Sequence, residues 1–181
     1  MAHKETAYRI QGGNVSGIPG LRPLDHVGFT VPDLEQAHTF LVDILGFECI
    51  FKVGPVESKT DWMEVHLNVH PCAIVRELRL YRCGGQAVFE VFQYDAPDQS
   101  TQMPKNSDHG GHHVALYVED LESAVHYLRG HGVQLLGEPS DSQGPTEGQS
   151  WVYFLAPWGM QFDLVSYPKG RAFEHNSEHF C

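Results

Sequence analysis

Residues 26–41, HVGFTVPDLEQAHTFL, recur at residues 113–128 as HVALYVEDLESAVHYL, with eight identities in sixteen ungapped positions. A chain that writes a strand-like run and a helix-like run twice is built from a duplicated supersecondary unit, and the duplication constrains every fold it can adopt. His26 falls on His113, Asp33 on Asp120 and Leu41 on Leu128, whereas His112 falls on Asp25. Of the adjacent histidines at 112 and 113, the second is therefore the repeat-equivalent one.

The organisation follows from the repeat. An N-terminal arm is expected at 1–22, a first module at 23–98, a linker at 99–110, a second module at 111–168 and a tail at 169–181. Unit one reads as a strand from Leu24 to Val31, a helix opened by Pro32-Asp33 and closed at Gly46, and strands near Phe47 to Val53, Trp62 to Val69, Arg76 to Tyr81 and Val88 to Tyr94. Unit two repeats the order: a strand from His113 to Val118, a helix from Asp120 to about Gly130, and a strand near Val133 to Leu136. The loop GEPSDSQGPTEGQ, a strand from Trp151 to Leu155, the turn APWG and a last strand from Met160 to Ser166 complete it. The predicted class is α+β, a βαβββ unit in tandem.

Composition narrows the function. The 181 residues are 41% hydrophobic and 19% charged, which is ordinary for a globular chain with room for a sizeable core. Twenty-three acids against twelve Lys and Arg give a formal charge of −11, which argues against nucleic acid or an anionic membrane as partner, since either needs a basic face. With no charged-then-apolar leader and no apolar run of about 18 residues, a cytoplasmic protein is expected. Cys49, Cys72, Cys83 and Cys181 are scattered without a C-x-x-C pair and read as small hydrophobes plus a terminal thiol.

Side-chain alternation says where the histidines point. In the first strand Val27, Phe29 and Val31 share a face that covers the helix, leaving His26, Gly28 and Thr30 on the other. Val114, Leu116 and Val118 do the same in unit two, leaving His113, Ala115 and Tyr117 opposite. In the last strand of each unit a carboxylate takes the non-apolar face: Glu90 between Phe89 and Val91, and Asp163 between Phe162 and Leu164. A carboxylate amid an apolar strand is costly to bury unless it is paired or bound to a cation. Two imidazoles and two carboxylates at repeat-equivalent places suit a divalent metal: Zn, Ni, Co, Mn or Fe.

LDHVGFTVPDL, its echo HHVALYVEDL and the closing APWGMQFDLVSY resemble the vicinal oxygen chelate superfamily, which includes glyoxalase I, methylmalonyl-CoA epimerase, the extradiol dioxygenases and the bleomycin and fosfomycin resistance proteins. The resemblance covers about residues 22–170. It implies paired modules forming a cupped half-barrel around one divalent ion per chain, held by His26, Glu90, His113 and Asp163. Asp163 departs from the pattern, where Glu is usual. By analogy with glyoxalase I and the epimerases, Glu90 and Asp163 share the role of base in a metal-dependent lyase or isomerase. Such an enzyme chelates a small carbonyl substrate and removes the adjacent proton through an enolate. An Fe(II) extradiol-type ring-cleaving dioxygenase is the alternative, disfavoured by a fourth ligand, and a non-catalytic ligand-binding protein is a further one. A small carbonyl compound and a second copy of the chain, as a homodimer, are the expected partners.

Other polar residues are secondary candidates. In MEVHLNVH, Glu64, His66, Asn68 and His70 alternate with apolar residues, so as a strand they share a face that either lines the cup, with His66 and His70 on substrate, or meets solvent. Tyr117 and Tyr153 are expected to contact substrate from inside. His3, His38, His109, His126, His131, His175 and His179 read as surface residues. Arg76, Arg79 and Arg82 are candidates for a thioester's phosphates, but Arg79 faces away from the other two. In so acidic a chain a small neutral hydroxyketone or cyclitol ketone suits at least as well.

Overall fold

A computed structural model describes residues 18–21, 23–85 and 87–175. Most of the expected arm, with His3, and the end of the tail, with His179 and Cys181, lie outside the described residues. The first module runs β1 (Val27–Thr30), α1 (Leu34–His38, continued by a π-helical turn over Thr39–Ile44), β2 (Glu48–Val53), α2 (Trp62–Leu67), β3 (Ile74–Cys83) and β4 (Ala87–Asp95). The second runs β5 (His113–Tyr117), α3 (Leu121–Gly130), β6 (Gln134–Asp141), β7 (Ser150–Leu155) and β8 (Gln161–Ser166), followed by the short α4 (Ala172–His175).

The duplication is legible in the pairing. Each module forms a four-stranded mixed sheet, ordered β1-β4-β3-β2 and β5-β8-β7-β6. The first strand of each lies parallel to the last, Gly28 opposite Glu90 and Ala115 opposite Asp163. Parallel neighbours need a crossover, and here the helix and two antiparallel strands supply it. The helices start alike: Asp33 accepts the amides of Glu35 and Gln36, and Asp120 accepts that of Ser123. Such side-chain caps satisfy amides that the first helical turn leaves without partners.

One apolar core joins the modules. Val31, Leu34, Ala37, Phe40 and Leu41 of the first module bury into the same cluster as Val125, Phe154, Phe162 and Leu164 of the second. Phe40 meets Trp158 edge-on at 5.6 Å and Phe162 at 6.2 Å, and the Tyr127 hydroxyl donates to the Ile44 carbonyl. Burying a side chain such as Phe40 contributes about 2–3 kcal/mol, so the modules are held together by the helix-side faces. The opposite, cup faces are left for other work.

The structure corrects two segments. Residues 62–67, expected as a strand, form α2. Six residues of alternating polarity satisfy either conformation, and local hydrogen bonds decide. The Trp62 amide donates to Thr60 Oγ1, and Asn68, left-handed at φ 54°, ends the helix. Because β2 pairs directly with β3, residues 54–73 are an excursion between neighbouring strands rather than a fifth strand. The second correction is β6, which continues through Asp141 into the expected loop, with a register shift between Leu136 and Ser140 that spans the left-handed Gly137. His38, expected at the surface, is half-buried with its Nδ1 3.2 Å from the Tyr81 hydroxyl.

α2 crosses the cup face of the first sheet. Met63 is fully buried with Ala73 and Val75, and Leu78, Phe92 and Tyr94 close round them. In the second module the corresponding connection carries only a short 3-10 turn, Gly144–Thr146. Cys49, Cys72 and Cys83 are free, and Cys72 is exposed rather than buried. No helix among the described residues is long and apolar enough to cross a membrane.

Candidate functional site

β1 delivers His26 to the cup face and β4 delivers Glu90 beside it, because parallel pairing sets Gly28 against Glu90. His26 Nε2 stands 3.5 Å from Glu90 Oε2. On its other side His26 Nδ1 donates to Asp25 Oδ2 at 2.7 Å. That bond places the proton on Nδ1 and turns Nε2, as a donor atom, toward the cup. It also lifts the imidazole above its usual pKa against partial desolvation, with Glu90 acting in the same direction. Gly28 keeps the floor clear: a Cβ there would meet the Phe92 ring at 3.6 Å and stand 4.0 Å from Glu90 Oε2.

The second module builds its half differently. His113 Nε2 lies 3.4 Å from the Tyr153 hydroxyl, with the rings edge-to-face at 5.0 Å. Tyr153 on β7 is also the cross-strand neighbour of Asp163 on β8. Asp163 is 6% exposed, and its Oδ1 is buried without a hydrogen-bond partner. Burial pushes this carboxyl up to about 6, the Val152 backbone pulling slightly the other way. Burial and then the Asp163 charge raise the Tyr153 hydroxyl as well.

The histidine of one pair and the glycine floor of the other border a common cleft of about 450 Å³, flanked by Asp25 and Gly28 from β1 and its approach and by His112 and His113 from β5. Among the described residues no three His, Cys, Asp or Glu side chains stand together in reach of one ion position. His26 and Glu90 are brought together, and His113, Tyr153 and Asp163 are brought together, as two half-sites. In donor type the four candidate side chains, His26, Glu90, His113 and Asp163, fit a divalent cation, and a partnerless buried carboxylate oxygen is what such an ion would satisfy.

The secondary candidates separate. Tyr153 stands at the site. Tyr117 is on the same strand face as His113 but packs on Tyr167 at 4.8 Å. His66 and His70 do not share a strand face, because α2 replaces the strand: His66 stacks on Trp62 at 5.0 Å, exposed, while His70 lines a cleft beneath α2. His112 Nδ1 bonds the Gly110 carbonyl and holds its own turn. Arg79 is buried on the helix side with Glu35 and Glu77, Arg76 pairs with Asp95, and Arg82 with Glu48. All three guanidiniums are thus committed to carboxylates. Asp25 and Gly28, to which alternation alone assigns no part, also stand at the candidate site; the sequence signal for Asp25 is its place next to a candidate ligand histidine.

Comparison with known proteins agrees with this architecture. A 2-epi-5-epi-valiolone epimerase from Actinomyces sp. is 43% identical over 164 residues, 90% of this chain and 88% of that protein. A glyoxalase family protein from Bacillus cereus superimposes with a TM-score of 0.66 at 20% identity, covering 84% of this chain and 98% of its own. A fosfomycin resistance protein from Listeria monocytogenes, solved with Mn(II) and 1S,2S-dihydroxypropylphosphonic acid, superimposes with a TM-score of 0.53 at 16% identity over 89% of this chain and 98% of its own. Residues 25–154 match the family description directly, and the chain belongs to the glyoxalase/bleomycin resistance protein/dioxygenase superfamily.

Proposed function

We propose that the chain is an epimerase that inverts a carbon next to the carbonyl of a small, neutral, hydroxylated ketone. The observation that carries this reading is the placement of one carboxylate on each module's cup face, Glu90 beside His26 and Asp163 beside Tyr153. Inversion needs a proton removed from one face of a carbon and another returned to the opposite face, so bases on two opposed sheets suit it better than a single base. The 43% identity to a protein named as a 2-epi-5-epi-valiolone epimerase supports the same class.

His26, Glu90, His113 and Asp163 are the residues that would hold a divalent ion; a fosfomycin resistance protein of the same fold is solved with Mn(II). Such an ion polarises a carbonyl and favours the enolate over the ketone. Glu90 takes the proton as the C–H bond breaks, and the electron pair moves onto the carbonyl oxygen. Asp163, whose burial favours the protonated carboxyl, donates a proton to the opposite face of the same carbon as the electron pair returns to it, with Tyr153 beside it on the neighbouring strand. Asp25 holds the His26 ring throughout.

The test is hydrogen exchange. With a cyclitol ketone in D₂O, the α-hydrogen should be replaced by deuterium as the epimer accumulates, with no oxygen consumed. Oxygen uptake on a catechol, with no exchange on any ketone, would overturn the reading in favour of ring cleavage.

A further inference from the structure

Beneath α2 lies a cleft of about 540 Å³ that the half-sites do not use, walled by Thr30 of β1, Tyr94 of β4, and Glu64, Asn68 and His70 from α2 and the turn after it. Asp98, Gln99 and Ser100 close the far side, and among the described residues no Lys or Arg lines it. We propose that this cleft is the specificity subsite of the cup, binding the ring hydroxyls of an uncharged polyol while its carbonyl end reaches the Glu90 floor. The assignment rests on the epimerase reading for its account of the carbonyl end only.

Three observations carry it. First, the cleft adjoins the site: Thr30, Tyr94, Gln99 and Ser100 also wall a neighbouring cleft of about 510 Å³ that extends to Gly28, directly opposite Glu90. Thr30 and Gly28 are two residues apart on one strand face, about 7 Å, a span that one hydroxylated six-membered ring bridges. Second, the polar groups are those that hydroxyls need. Carboxylates of Glu64 and Asp98 accept from O–H, and the Asn68 amide both donates and accepts. His70 Nδ1 accepts the Cys72 amide at 3.0 Å, so the neutral ring carries its proton on Nε2 and donates from there. Third, two carboxylates that face no Lys or Arg among the described residues repel phosphate and carboxylate ligands, which sets a neutral polyol apart from a phosphorylated ring or a CoA thioester.

The geometry is also preorganised. Met63 pins α2 to the sheet from below, and the Asn68 backbone is held at φ 54° with its amide donating to the Glu64 carbonyl. Among the described residues nothing comparable stands over the second sheet, so the fit is one-sided and orients a ring.

The test reads binding without turnover, using myo-inositol as an unreactive carbocyclic polyol and its monophosphate as the charged comparator, followed by ligand-observed NMR titration of the whole chain. The unmodified protein should bind myo-inositol more tightly than the monophosphate. Glu64→Ala, at an exposed helical position, and Asn68→Gly, which keeps the left-handed backbone, should each weaken myo-inositol roughly tenfold, the size of one lost hydrogen bond to a charged or well-held group. Glu122→Ala on the far helix α3 should not change it. No myo-inositol binding to the unmodified protein, preference for the phosphate, or equal binding by both variants would overturn the proposal. Binding that follows the variants, in a protein that exchanges no α-hydrogen, would leave the cleft assignment standing and sink the epimerase reading instead.

Discussion

In the first module the site histidine is flanked by carboxylates, Asp25 at 2.7 Å and Glu90 at 3.5 Å, and a helix roofs part of the cup. In the second the histidine meets a phenol, the carboxylate is sunk to 6% exposure with one oxygen partnerless, and the cup face is open, with Tyr117 47% and Leu136 42% exposed. Strand order, the parallel register of first against last strand, and the aspartate at each helix start are the same in both. What differs is carried by residues beside the repeat and by the connection between the second and third strands. The frame of a duplicated fold is set by pairing and core contacts, which leaves the cup faces free to diverge. Here they diverge into one charge-rich half partly roofed by a helix and one open half whose carboxylate is sunk among its neighbours, an asymmetry that suits a reaction needing different groups on the two faces of a carbon.

The comparison breaks most severely at the histidines. His113→Ala and His26→Ala should each abolish metal content and exchange activity, measured by elemental analysis and NMR, while His112→Ala keeps both. Equal losses at 112 and 113 would refute the repeat equivalence.

Next is Asp163→Asn, which should cut turnover by about 10²–10⁴, the usual worth of a general acid or base. It also carries a pH signature in the metal-free protein. The folded carboxyl titrates at about 6 against 3.8 in the reference state. The folded state therefore binds more protons between those values, and stability falls as pH rises through that window, then levels above it. Asp163→Asn removes the fall, so its stability advantage in denaturant titrations should grow between pH 4 and pH 6 and stay constant above. An advantage that shrank over that range would contradict the burial argument.

Met63→Ala empties the anchor of α2 and should cost about 2–5 kcal/mol in chemical denaturation, while weakening polyol binding more than metal binding. Asp25→Asn should reduce metal affinity by roughly tenfold to a hundredfold in competition titrations. The smallest effect sharpens the comparison from the opposite side. Gly28→Ala gives the first floor the methyl that Ala115 has in the second, at ordinary contact distances and without backbone strain. It should lower kcat/KM a few-fold with no loss of stability, because the methyl takes space beside Glu90. An unchanged kcat/KM would mean that substrate does not approach over that floor.

The repeat, the strand-face alternation and the aspartate caps were legible in the sequence because they are local: a two-residue period and a side chain reaching its own helix depend on neighbours in the chain. They were enough to put His26, Glu90, His113 and Asp163 on cup faces. The residues around them were not legible. Whether MEVHLNVH is a strand or a helix turned on a threonine bond, a left-handed asparagine and a direct β2–β3 pairing, the last of which lies outside the segment. The full burial of Asp163, against the half-burial of its counterpart Glu90, depends on what packs across the sheet. The cleft under α2 gathers residues 30, 64, 68–71, 94, 96 and 98–100, which meet only when the sheet closes. The sequence by itself thus determined which side chains face the cup, because facing is set by period. Only the tertiary structure decided how wet, how crowded and how partnered each one is, because those properties belong to neighbours brought from elsewhere in the chain.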